Sequence, residues 1–134
     1  MAAAGFRIAA LALLSAACTS IATDSGTFAN TRWHVTAIDG RATPSTANYL
    51  VRFDKNQIGG QFGCNHFGGE YRVTGNMLVA TAIRSTMMAC MEPAASFEAQ
   101  GFAVLNQPMR MNWSSSQRLT LGNAAGSVDL QRIP

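Results

Sequence analysis

Apolar and polar residues alternate with a period of two along most of this chain, a pattern that β-strands with one buried face satisfy and helices do not. Trp33, Val35 and Ala37 alternate with His34 and Thr36, and Tyr49, Val51 and Phe53 alternate with Leu50, Arg52 and Asp54. Further along, Met109, Met111 and Trp113 are separated by Arg110 and Asn112, Leu119 and Leu121 flank Thr120, and Val128 and Leu130 flank Asp129. Turn-forming groups fall between the strands: Asp54-Lys55-Asn56, Thr74-Gly75-Asn76, and Gly122 to Gly126. Short strands joined by short turns favour an antiparallel meander or small barrel over βαβ units, which need long crossovers. One segment has a different period. After Glu92-Pro93 the run AASFEAQGFAVLN brings Ala94, Phe97, Gly101, Val104 and Leu105 to one helical face, and Asn106 and Pro108 end it. Proline suits the first helical turn, and a glutamate suits the positive end of the helix dipole. The expected class is α+β: an antiparallel, barrel-like sheet of about 7–8 short strands with one packed helix over about Pro93 to Leu105.

Composition narrows the functional classes. Of 134 residues, 48% are hydrophobic and 13% charged, which is too apolar for a disordered chain. The net charge is +3, and the arginines are scattered without a basic run, so no nucleic-acid partner is expected.

The N-terminus reads as an address. Arg7 precedes the apolar run IAALALL, which is followed by the small residues Ser15, Ala16 and Ala17. The run is far short of the roughly 20 residues that span a bilayer. Leu14-Ser15-Ala16-Ala17-Cys18 resembles a bacterial lipoprotein signal, with Leu one position further from the cysteine than usual. That resemblance makes 1–17 a signal peptide and Cys18 a lipidated mature N-terminus. Thr19 after the cysteine is similar to signals for the outer membrane. Ordinary cleavage after Ala17, leaving a free Cys18, is the alternative. Residues 18–30 are small and polar and are expected to form a flexible tether, with the folded domain over 31–134.

The segment Gly59 to Tyr71 (GGQFGCNHFGGEY) is the densest in special residues. It lacks the Lys-Ser/Thr pair and following helix of a phosphate loop, and it reads as a tight hairpin with bulges. Three chemistries compete with a structural role. Cys64 and His66 share a strand face and could act as nucleophile and base, with Glu70 as the nearest acid. Zinc could take Cys64, His66 and Cys90, with His34 as a distant fourth ligand. Copper(I) could use the thioethers of Met87, Met88, Met91, Met109 and Met111, although Met109 and Met111 alternate as core residues do.

Gly63-Cys64-Asn65, Gly68-x-x-Tyr71 and the later Thr86-Met87-Met88-Ala89-Cys90 with Glu92 resemble the signature of the META domain, the HslJ-type heat-shock lipoproteins. The resemblance spans about Trp33 to Leu130 and includes Phe97. It implies a compact barrel with one helix, an envelope location, and roles in stress tolerance, secretion or motility; it implies no cofactor. The family's two cysteine motifs occur together here, which implies a Cys64–Cys90 disulfide. The count agrees, because three cysteines less a lipidated Cys18 leave a pair, and exported thiols tend to oxidise. Free thiols at both positions are the competing reading. The expectation is a non-catalytic, monomeric protein without bound metal. It would be anchored through its lipid to the outer membrane, facing the periplasm, and would bind or support another envelope component. A periplasmic copper-handling protein and an inhibitor of an envelope-attacking enzyme are the alternatives.

Overall fold

The computed structural model describes residues 28–134, together with Gly5, Ser15 and Ala16. Cys18 and most of the expected signal and tether lie outside the described residues. Nine strands and one helix follow in order: β1 (Thr31–Ile38), β2 (Arg41–Ala42), β3 (Tyr49–Phe53), β4 (Gln57–Phe62), β5 (His66–Thr74), β6 (Met77–Ser85), α1 (Ala94–Leu105), β7 (Met109–Ser115), β8 (Arg118–Asn123) and β9 (Gly126–Ile133). All pairings are antiparallel, in the order β2-β1-β3-β4-β5-β6-β7-β8-β9, and β1 also pairs with β9. Eight strands therefore close into a barrel, with β2 a short hairpin appended to β1. Closure removes the exposed edges that an open antiparallel sheet would carry.

The seam is weakest between β6 and β7, which share only the Met77–Arg110 and Leu78–Met109 pairs. The chain between these strands carries α1, which packs mainly against β4 and β9. Its buried face is Phe97, Gly101, Val104 and Leu105, as the helical spacing predicts, while Ala94 is half-buried. A Cβ on Gly101 would sit 2.5 Å from the Phe62 ring, so glycine here allows helix and barrel to touch. The Glu92 carboxylate accepts hydrogen bonds from the Ser96 N–H and hydroxyl at the helix start.

The core is aromatic. One cluster joins Phe28, Trp33, Phe53 and Tyr71, with Phe28 and Phe53 centroids 4.6 Å apart. Another joins Phe62, Phe67 and Phe102 beneath the helix. Three expectations need correction. Phe28, assigned above to the tether, is only 1% exposed and belongs to the core, with its carbonyl accepting from both the N–H and hydroxyl of Thr31. In β1 a register shift between Val35 and Ala37 inserts Thr36 as an extra residue. Ala37 is left half-buried, and Ile38 turns into the core in its place. Trp113 is 41% exposed rather than inward, because β7 runs past the last residue that β6 pairs with it; the ring still rests on Phe28 and Trp33.

Candidate functional site

The turn between β4 and β5 and the segment between β6 and α1 meet at one end of the barrel. Gly63 makes the turn at φ +108°, and a Cβ there would lie 2.6 Å from the Tyr49 hydroxyl, so both conformation and space require glycine. Cys64 follows and is bonded to Cys90, with Cα atoms 6.1 Å apart. The expected disulfide is present, and it joins the turn to the chain entering the helix.

Asn65 is the hub of this end. It is polar and only 4% exposed, so its amide must find partners within the protein. Its Oδ1 accepts from the Thr86 hydroxyl at 2.9 Å and from the Met88 N–H at 2.7 Å. Its Nδ2 donates to the Met88 carbonyl at 3.2 Å and to Glu98 Oε2 at 2.9 Å, and its backbone N–H donates to Glu98 Oε1 at 2.6 Å. The side chain thus pairs with Met88 as a neighbouring strand would, while the Glu98 carboxylate on α1 receives two N–H groups of one residue. Thr86 is held twice more, its backbone N–H donating to the His66 carbonyl and its hydroxyl accepting from the His66 N–H. An extended segment beyond the end of β6 is thereby fixed by one backbone bond to His66 and otherwise by side chains.

Of the residues that carried the resemblance, Gly63, Cys64, Asn65, Thr86 and Cys90 converge here. Tyr71 lies elsewhere in the core and donates its hydroxyl to the Asp54 carbonyl at 2.8 Å. Burial, and secondarily the Asp54 charge, raise its pKa above the ordinary phenol value. Gly68, Met87 and Ala89 take no part in the network. Glu98, which contributes a carboxylate to the hub, has no marker in the sequence: it is a half-exposed glutamate on a helix, 33 residues from Asn65.

The competing chemistries fare differently. With Cys64 oxidised, the Cys64–His66 pair has no thiol nucleophile. The one metal-like grouping among the described residues is Cys64, Cys90 and Glu98, and two of its three members are the disulfide sulfurs. His34 and His66 stand on the same outward row of the sheet but three strands apart, through Leu50 and Gln61. That puts them about 14 Å from each other along the sheet. The methionines separate into two groups. Met109 is 1% exposed in the core, whereas Met87 and Met91 are 94% and 86% exposed on the Asn65-held segment. They do not form one thioether site.

Removing the disulfide is expected to cost at most about 3.5 kcal/mol by the loop-entropy relation for 26 residues of separation. Chemical denaturation with and without reductant checks this, with Cys64→Ala/Cys90→Ala as the matched variant. Equal midpoints in all samples would show that the bridge adds nothing to the Asn65 network.

The fold and site define a class: a closed antiparallel barrel capped by one helix, with a disulfide and a buried asparagine binding cap to barrel. The family profile described as the META domain matches residues 26–132, and the chain belongs to that family. Two solved structures share the fold. One NMR structure is 21% identical with a TM-score of 0.69, covering 80% of this chain and 92% of that one. An NMR structure of a protein from Burkholderia xenovorans is also 21% identical, with a TM-score of 0.64, covering 82% of this chain and 86% of that one. No curated protein matches the chain in sequence.

Proposed function

We propose that this META-domain protein is a non-catalytic, lipid-anchored part of the bacterial cell envelope. Acyl chains on Cys18 hold it at the outer membrane, facing the periplasm, where the barrel binds or supports another envelope component. The observation that carries this reading is the Cys64–Cys90 disulfide, which suits an exported, oxidising location and takes the thiol beside His66 out of nucleophilic chemistry. The N-terminal pattern supplies the anchor, since each buried CH₂ of an acyl chain contributes about 0.8 kcal/mol. Among the described residues no helix is long and apolar enough to cross a membrane.

The intact mass of protein extracted from membranes tests the anchor. The expected mass is that of the polypeptide from Cys18 onward plus the lipid groups, with the protein partitioning into detergent. A soluble protein with the bare polypeptide mass would overturn the proposal.

A further inference from the structure

The outer wall of the barrel carries a cleft of about 340 Å³ across β3, β4, β5 and β6. Its axis is one cross-strand row in strict register: Arg52 faces Gly59, Gly59 faces Gly68, and Gly68 faces Arg84. Two arginines thus stand on opposite banks of a floor made of bare backbone, about 14 Å apart at their Cα atoms.

The packing of the barrel does not account for Gly68 in this floor. The adjoining glycines are required: a Cβ on Gly60 would overlap the Leu50 carbonyl, and one on Gly69 would lie 2.7 Å from the Thr81 carbonyl oxygen. Gly59 and Gly68 differ, because neither has a left-handed φ. The nearest atom to a Cβ on Gly68 is 3.9 Å away, whereas one on Gly59 would meet the movable end of Arg52 at 2.9 Å and the fixed Phe67 carbonyl oxygen at 3.2 Å, so Gly68 is the glycine with open space above it. Glycine weakens a strand interior and marks either a bulge or a place that another molecule or backbone approaches closely. The β5–β6 register shift lies between Gly68 and Glu70, and it crowds Gly69 rather than Gly68. The Arg52 guanidinium already lies over the floor, and Arg84 is exposed on the far bank. Beside this row runs a second one, Gln57–Glu70–Thr81, with Asp54 at its end, and Gln57, Glu70 and Asp54 also line the cleft. Guanidinium pairs recognise carboxylate and phosphate groups, while carboxylates and amides accept and donate to hydroxyls.

We propose that this cleft is a binding site for an anionic sugar, whose phosphate or carboxylate lies between Arg52 and Arg84. The sugar ring rests on Gly68, beside the Arg52 guanidinium that covers Gly59, and its hydroxyls reach Asp54, Gln57 and Glu70. The volume is at the small end of the range for ligand sites, which fits one sugar unit.

Titrating the isotope-labelled full chain with glucose 6-phosphate, glucuronate, glucose and inorganic phosphate, followed by NMR, tests the site. Glucose 6-phosphate or glucuronate should shift the Gly59 and Gly68 amides and the Arg52 and Arg84 side-chain signals in a saturable way, at least tenfold more tightly than glucose or inorganic phosphate. Arg84→Gln should weaken that binding tenfold or more. Gly68→Ala, which the open space above Gly68 allows the fold to accept, should weaken it severalfold while leaving the rest of the spectrum in place. Absence of saturable shifts at these residues would overturn the proposal. So would equal binding of inorganic phosphate (an adventitious ion only), or unchanged affinity in both variants.

Discussion

Replacing Asn65 with alanine is expected to destabilise the domain by roughly 4 kcal/mol, a large share of what a domain of this size usually has. The substitution does more than delete a contact. It leaves the Met88 N–H and carbonyl without partners, takes one of two donors from Glu98, and frees the Thr86 hydroxyl. These four bonds are part-buried, so each is counted near the low end of the about 1–3 kcal/mol that an unpaired group costs, and together they exceed the value of any single bond. Asn65→Asp is the informative companion, because it preserves size but loses the donors and sets a second carboxylate against Glu98. It should be at least as damaging as alanine at neutral pH. Urea denaturation measures both. Limited proteolysis should cut the freed segment around Met87 to Met91 in the variants and spare it in the parent. A loss below about 1 kcal/mol for Asn65→Ala would mean that the disulfide alone fixes this end of the barrel.

The strands were legible because their faces differ in polarity. Where one residue is inserted, as at Thr36, the alternation itself misleads, because the register change shows only against Leu130 and Asp129 of β9. Phe28 was hidden for a different reason. It sits in a polar stretch with no period, and only the packing of Phe53, Tyr71 and Trp113 around it makes it core. The helix was legible to within a residue, since its spacing and its flanking prolines agree. At the site, the cysteines and Asn65 could be found as a motif, but their geometry could not. The Glu98 side of the hub is a long-range contact between a turn and a helix, and in the sequence the half-exposed glutamate that makes it resembles any solvated one. The methionines divide for the same reason: strand alternation marks Met109 as core, while nothing local says that Met87 stands exposed between Thr86 and Met88, the two residues that Asn65 holds from a distant turn.

Phe97→Ala is expected to cost about 3–5 kcal/mol, the range for deleting a buried aromatic ring. Phe97 is 4% exposed, meets the Tyr49 ring edge-on at 5.7 Å, and carries the Arg41 guanidinium 4.4 Å above its face. Its loss opens a void between the helix and β3 that the neighbouring Gly101–Phe62 contact cannot close, since those atoms already touch. For a domain of about 100 residues, the corresponding fall in melting temperature is roughly 12 °C or more. Phe97→Leu should lose a smaller part of that, because most of the volume remains. An unchanged melting temperature for Phe97→Ala would mean that the helix docks by another face. The position also reaches the hub. Glu98 is the next residue, so a helical turn loosened beside the void holds the carboxylate less firmly against Asn65. The effects of Asn65→Ala and Phe97→Ala should therefore sum to more than the double variant loses, by at least about 0.5 kcal/mol, as expected for residues that share one network. Strict additivity in that cycle would separate the docking of the helix from the hydrogen bonds that it carries to the turn.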